Sequence, residues 1–106
     1  MDGNVLVLKV DGSAEVTKFT APVPLEFLQK AVGGWIELVP DFDVFGDQKG
    51  VVAFCNEEGK LNGLPVNAKA TEAWAKSVGT TVADLGDELL GDVVIVSGDD
   101  AFMAAL

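Results

Sequence analysis

The sequence predicts an α+β fold: a mixed or antiparallel sheet of about five strands with two main helices on one side. Three observations carry that expectation. Two short β-rich runs flank an Asp11-Gly12-Ser13 turn, which signals a hairpin rather than a parallel crossover. Two stretches of helical length each carry an apolar side and close on glycine. The run Val93-Val94-Ile95-Val96 is apolar at every position, as a strand covered on both faces must be.

Taken in order, Asn4–Val10 is rich in β-formers and Ala14–Thr20 reads as its returning partner. Pro22 and Pro24 end the sheet. Pro24 suits the first turn of a helix, with Leu25, Phe27, Leu28 and Val32 as its apolar side and Gly33-Gly34 as its stop. Trp35–Val39 is a short strand ended by Pro40, with Ile36 and Leu38 on one face and Trp35, Glu37 and Val39 on the other. Asp41–Lys49 reads as an acidic loop anchored by Phe42 or Phe45, and Gly50–Cys55 as a further strand closed by a tight turn at Asn56–Gly59. A second helix is expected from about Asn67, its N-cap, to Val78, with Gly79 as the stop and Ala70, Ala73, Trp74 and Val78 as its buried stripe. Thr81–Leu90 reads as a short helix or turn. Asp92–Ser97 is the expected central strand, and Asp99-Asp100 caps a last helical turn.

A chain of 106 residues is read as one domain with one core over residues 1–106, because two halves would each be too small to offset their ordering entropy. The longest apolar runs fall far short of the roughly 20 residues that span a bilayer, and Met1-Asp2-Gly3-Asn4 lacks the basic start of a secretory signal. The single Cys55 cannot form an internal disulfide, so a reducing, cytoplasmic location is expected. There are 17 Asp and Glu against 7 basic residues, every one of them Lys, for a net charge of −10. Such a chain repels phosphate backbones, and without Arg it lacks the usual bidentate reader of phosphate and guanine. Direct nucleic-acid binding is therefore not expected.

The chain contains no His and no Arg. Ser-His-Asp and Cys-His machinery is thereby closed, as are structural zinc and an arginine finger. Neither a P-loop nor a G-x-G-x-x-G dinucleotide motif occurs. Asp41-Phe42-Asp43 with Gly46 has a superficial likeness to a calcium loop, but Phe45 and Val52 stand where oxygen ligands belong. No catalytic residue, cofactor or metal ligand set is expected. Cys55 reads as a small core hydrophobe.

The segment Asn56–Thr71 carries more polar residues than a hairpin needs. Asn56, Lys60, Asn67 and Thr71 are candidates to converge near a helix N-terminus, and Glu57 and Glu58 sit adjacent in the turn. With Trp35 and Glu37 these form the candidate ligand- or partner-binding set. The motifs Gly33-Gly34-Trp35-Ile36-Glu37, Asn56-Glu57-Glu58-Gly59-Lys60-Leu61 with Leu64-Pro65, Asn67 and Ala70-Thr71, and Leu90-Gly91-Asp92-Val93-Val94 have a known counterpart. Together they resemble a family of small bacteriophage, plasmid and bacterial proteins known only as a domain of unknown function. Where that family often carries basic residues after the Asn of its P-x-N step, this chain has Ala68 and Lys69. The resemblance implies an accessory protein of a mobile element, acting in the host cytoplasm, and no particular activity.

The first functional expectation is a non-catalytic binding protein of a phage or mobile element. As a counter-defence protein it would sequester a small, nucleotide-derived ligand or a host factor, in the homo-oligomeric form common among such proteins. Its partner is thus a small-molecule ligand or host protein, with no direct nucleic acid and no membrane. Two alternatives stand beside it: an acidic interaction module or nucleic-acid mimic that blocks a basic host protein, and a carboxylate- or metal-dependent hydrolase using Glu37, Glu57 or Glu58.

Overall fold

The computed structural model describes all residues, 1–106. In chain order the elements are β1 (Gly3–Leu8), β2 (Ala14–Phe19), α1 (Leu25–Val32), β3 (Ile36–Leu38), β4 (Val44–Phe45), β5 (Gln48–Lys49), β6 (Val52–Asn56), α2 (Ala68–Val78), α3 (Val82–Leu85), β7 (Val93–Gly98) and α4 (Asp100–Ala104). Five strands form one sheet in the order β2-β1-β7-β6-β3, and every pairing is antiparallel. The α+β class and the antiparallel five-stranded sheet are as the sequence predicts. No helix is long and apolar enough to cross a membrane.

The hairpin turn after β1 is held by Asp11, whose carboxylate accepts from the Ser13 hydroxyl at 2.6 Å and the Ser13 N–H at 2.8 Å. β7 lies at the centre, and Val93 to Val96 are at most 2% exposed. Successive side chains of a strand point to opposite faces. Val93 and Ile95 therefore enter one apolar cluster with Leu8, Ala53, Val39, Phe42, Ala70, Trp74 and Leu89. Val94 and Val96 enter a second with Val5, Val7, Leu28, Val32 and Phe102.

The two main helices accordingly pack on opposite faces of the sheet, α2 over the first cluster and α1 with α4 over the second. This corrects the expectation of two helices on one side, and of one core. The physical reason is β7 itself: a one-sided arrangement would leave either Val93 and Ile95 or Val94 and Val96 in water, at roughly 1.5–3 kcal/mol per side chain.

Helix ends follow the sequence closely. Asn67 caps α2 by accepting from the Ala70 N–H at 3.0 Å, and Gly79 ends it in the left-handed conformation at φ 91°. Gly33 does the same for α1 at φ 79°, where a β-carbon would strain the backbone. The buried faces differ from expectation. On α2 the covered residues are Ala70, Thr71, Trp74 and Ala75, while Val78 is 44% exposed; on α1 Leu28 and Val32 are covered and Leu25 is exposed. The acidic loop after Pro40 contains the small β4–β5 hairpin. It is anchored by buried Phe42 and by the Ser77 hydroxyl, which accepts from the Asp43 N–H at 2.9 Å and the Val44 N–H at 3.1 Å. Asp99 caps α4 by accepting from the Phe102 N–H at 2.9 Å, and also accepts from the Asp2 N–H at 2.8 Å. These donors hold its carboxyl below the usual range, so this tether is complete above the unfolded carboxylate pKa and is lost as pH falls through the depressed folded value.

Candidate functional site

Where β3 and β6 form one end of the sheet, a cavity of about 670 Å³ opens between them, the turn after β6 and the segment after α3. Its floor is apolar, built from Val39, Pro40, Cys55, Trp74, Leu89 and Leu90. Its polar lining is dominated by Glu37, Glu57, Glu58, Asp87 and Glu88, five carboxylates against the single cation Lys60. Lys60 Nζ lies 3.4 Å from Asp87 Oδ1, so its charge is already engaged. No group of three or more Asp, Glu or Cys side chains is placed to hold a metal ion.

Antiparallel pairing places Glu37 opposite Cys55, with both side chains on the cavity face. Burial first, and then the Glu37 and Asp87 carboxylates, push the Cys55 thiol up to about 11. At neutral pH the thiol is uncharged and a poor nucleophile. Alkylation by iodoacetamide, followed by mass spectrometry, should run on the order of a hundredfold slower at pH 8 than for a free thiol of pKa ~8.5, and should keep rising toward pH ~11. A rate that levels off below pH ~9 would contradict this assignment.

The turn is built by Asn56, which is buried and has both ends of its amide occupied. Nδ2 donates to the Val32 carbonyl at 3.1 Å, and Oδ1 accepts from the Glu58 N–H at 2.8 Å. Two glycines make room for it. A β-carbon on Gly34 would come 3.0 Å from Asn56 Nδ2, and one on Gly59 would sit 3.3 Å from Leu90 Cβ and 3.5 Å from the Asn56 carbonyl oxygen. Gly34, Asn56 and Gly59 thus shape the turn, and the residues between and after them, Glu57, Glu58, Lys60 and Leu61, present side chains to the cavity.

Of the sequence-predicted set, the structure brings Glu37, Asn56, Glu57, Glu58 and Lys60 to this cavity. Asn67 and Thr71 lie elsewhere. Asn67 is fully buried, and its Nδ2 donates to the Leu8 carbonyl at 2.8 Å and the Gly91 carbonyl at 2.9 Å. The Thr71 hydroxyl donates to the Asn67 carbonyl at 2.8 Å and accepts from the Leu89 N–H at 3.0 Å. At the start of α2 the Ala70 N–H is taken by the Asn67 side chain and the Thr71 N–H by the Asn67 carbonyl. The expected convergence of Asn56, Lys60, Asn67 and Thr71 on a ligand is therefore not what the fold builds; buried polar groups are consumed by one another.

Trp35 is 64% exposed beside the cavity, without lining it. Trp74 is held in the core with its indole N–H donated to the Pro40 carbonyl at 2.8 Å, and cannot turn outward to stack on a base. Sequence reasoning missed Asp87, Glu88 and Leu90. The adjacent acids Asp87-Glu88 before Leu89-Leu90-Gly91 were a signal, but only the bridge between Val66 and Leu90 brings that segment to the turn.

No curated protein and no solved structure matches the chain. One family model does, described as a domain of unknown function, DUF3846, and it covers the motifs on which the sequence resemblance rests. Since the match runs over residues 1–104, the chain belongs to the DUF3846 family.

Proposed function

We propose that this protein is a non-catalytic binding module whose cavity receives a cationic group of a basic partner. The observation that carries the reading is the charge of the lining: four further carboxylates beside the Lys60–Asp87 pair, around an apolar floor. A phosphorylated, nucleotide-derived ligand would meet these carboxylates with Lys60 as its only counter-charge, and like charges in contact cost several kcal/mol in such a setting. A lysine or arginine side chain would lay its methylenes on the floor and its charge among the carboxylates. Each exposed ion pair contributes only about 0.2–1 kcal/mol, so the charges select and steer while the apolar floor supplies the remaining affinity. On the reading that the protein serves a phage or mobile element, the partner is a basic host protein, captured in the host cytoplasm.

Calorimetric titration with spermine, and separately with ADP-ribose, tests this. Spermine should bind, weaken steeply with added salt, and lose at least tenfold in affinity in the Glu57→Lys/Glu58→Lys variant, whose side chains are exposed and leave folding intact. Binding of ADP-ribose without binding of spermine would overturn the reading in favour of a nucleotide-derived ligand.

A further inference from the structure

β3 is an edge strand, and its free side borders the cavity. The Glu57 N–H donates to the Trp35 carbonyl at 2.8 Å and the Val39 N–H to the Ala53 carbonyl at 2.9 Å. In an antiparallel ladder, hydrogen-bonded and non-bonded pairs alternate. Trp35, Glu37 and Val39 therefore turn their backbone groups toward β6, and Ile36 and Leu38 turn theirs outward along the open edge. The side chains beside that edge divide by face. Glu37 lies on the cavity face with Cys55, while Leu38 shares its face with Phe54 and Ile36 and is 59% exposed. Leu61, 81% exposed on the turn, adds apolar surface at the cavity mouth.

We propose that the partner engages this site as an extended basic segment that adds a strand to the free edge of β3, pairing its backbone with Ile36 and Leu38 and placing a basic side chain beside Glu37. This rests on the cationic-partner reading and specifies how the partner is held. Main-chain bonds along a sheet edge supply affinity, and pockets for alternate side chains supply selection. An added residue that sets a lysine or arginine against Glu37 makes an opposite-charge cross-strand pair, and its neighbours then face Leu38 on the other side. The favoured segment accordingly alternates basic and apolar residues. Pro40 ends the edge, so two residues of β3 offer at most four backbone bonds. The sheet's other edge, β2, is longer, but no β2 residue lines the cavity, and its Glu15 is engaged by Lys9 at 3.1 Å.

The test uses a capped peptide alternating Lys and Val, the same peptide N-methylated at every second amide in each of its two registers, and spermine. Binding is followed by calorimetry and by amide hydrogen exchange of the full chain. The parent peptide should bind; the form whose methylated amides face β3 should lose at least tenfold in affinity, and the form whose methylated amides face away should bind like the parent. The Ile36 and Leu38 amides should slow in exchange on binding, and the β2 amides should not. Strand addition is overturned, with the cationic reading left standing, if spermine and both N-methylated peptides bind as well as the parent and the Ile36 and Leu38 amides are unprotected. Protection confined to β2 also overturns it. If neither spermine nor any peptide binds, both readings fall. A Leu38→Pro variant, which removes one outward N–H at a position where edge strands tolerate proline, should lose the parent peptide and retain spermine.

Discussion

Replacing Asn67 with alanine is expected to destabilise the fold by about 3 kcal/mol, measured by urea denaturation. The side chain is fully buried and makes three hydrogen bonds. Loss of the cap at Ala70 accounts for roughly 1 kcal/mol. The remainder comes from the Leu8 and Gly91 carbonyls, each of which loses a buried donor. Asn67→Asp separates the two contributions, since it retains the capping oxygen and loses both donors. At neutral pH it sets a carboxylate against two carbonyl oxygens and should be less stable than the alanine variant. The folded-state pKa of that introduced carboxyl is raised above its unfolded value. Its penalty is therefore relieved as pH falls toward about 4, where a protonated carboxyl donates once. The alanine variant should show no such recovery relative to the parent. An Asn67→Asp protein as stable as the parent at neutral pH would mean that Asn67 acts only as a helix cap.

Phe102 should be worth about 3–5 kcal/mol when truncated to alanine, and its effect should be coupled to a glycine distant in sequence. The ring is 1% exposed in the second apolar cluster, and it lies over the point where Gly3 of β1 pairs with Gly98 of β7. A β-carbon on Gly3 would overlap the Phe102 ring, and one on Gly98 would come 2.5 Å from it. Gly3→Ala alone should cost about 1–3 kcal/mol by forcing α4 off the sheet. In the Phe102→Ala background the same substitution should be neutral or slightly stabilising, because alanine suits a strand better than glycine once the space is free. A double-mutant cycle by urea denaturation measures the coupling. Additive effects would show that α4 is not held by this ring. Either single change removes a large part of the roughly 5–15 kcal/mol that stabilises a domain of this size.

Much of the local structure is legible from residue type alone. Asn67, Gly79 and Gly33 mark helix ends because capping and left-handed closure depend on the residue itself. Asp99 announces α4 in the same way. The hairpin at Asp11-Gly12-Ser13 is equally local. The buried stripe of α2 is less so, because which of Ala73, Ala75 and Val78 is covered depends on the helix's rotation over the sheet, and that is set by Trp74 reaching the Pro40 carbonyl.

For the site, sequence and structure divide along the same line. The unusual polar segment was readable as unusual, and Glu57, Glu58, Lys60 and Glu37 do border a cavity. Polarity alone could not tell a residue that faces a ligand from one that faces a carbonyl. Asn56, Asn67 and Thr71 have the composition of a binding motif, but their hydrogen bonds close on the backbone of Val32, Glu58, Leu8, Gly91 and Leu89.

By itself the sequence determined the α+β class, the helix ends, the central strand, and the absence of His- and Arg-based chemistry, because each of these is a property of residue type or of near neighbours. Only the tertiary structure decided that the helices lie on opposite faces, that Asp87 and Glu88 join Glu37 and the turn around one acidic cavity, and that β3 leaves an edge open beside it. These are relations between segments far apart in the chain. They are settled by which surfaces must be buried together, and β7, apolar on both faces, is what requires a layer on each side.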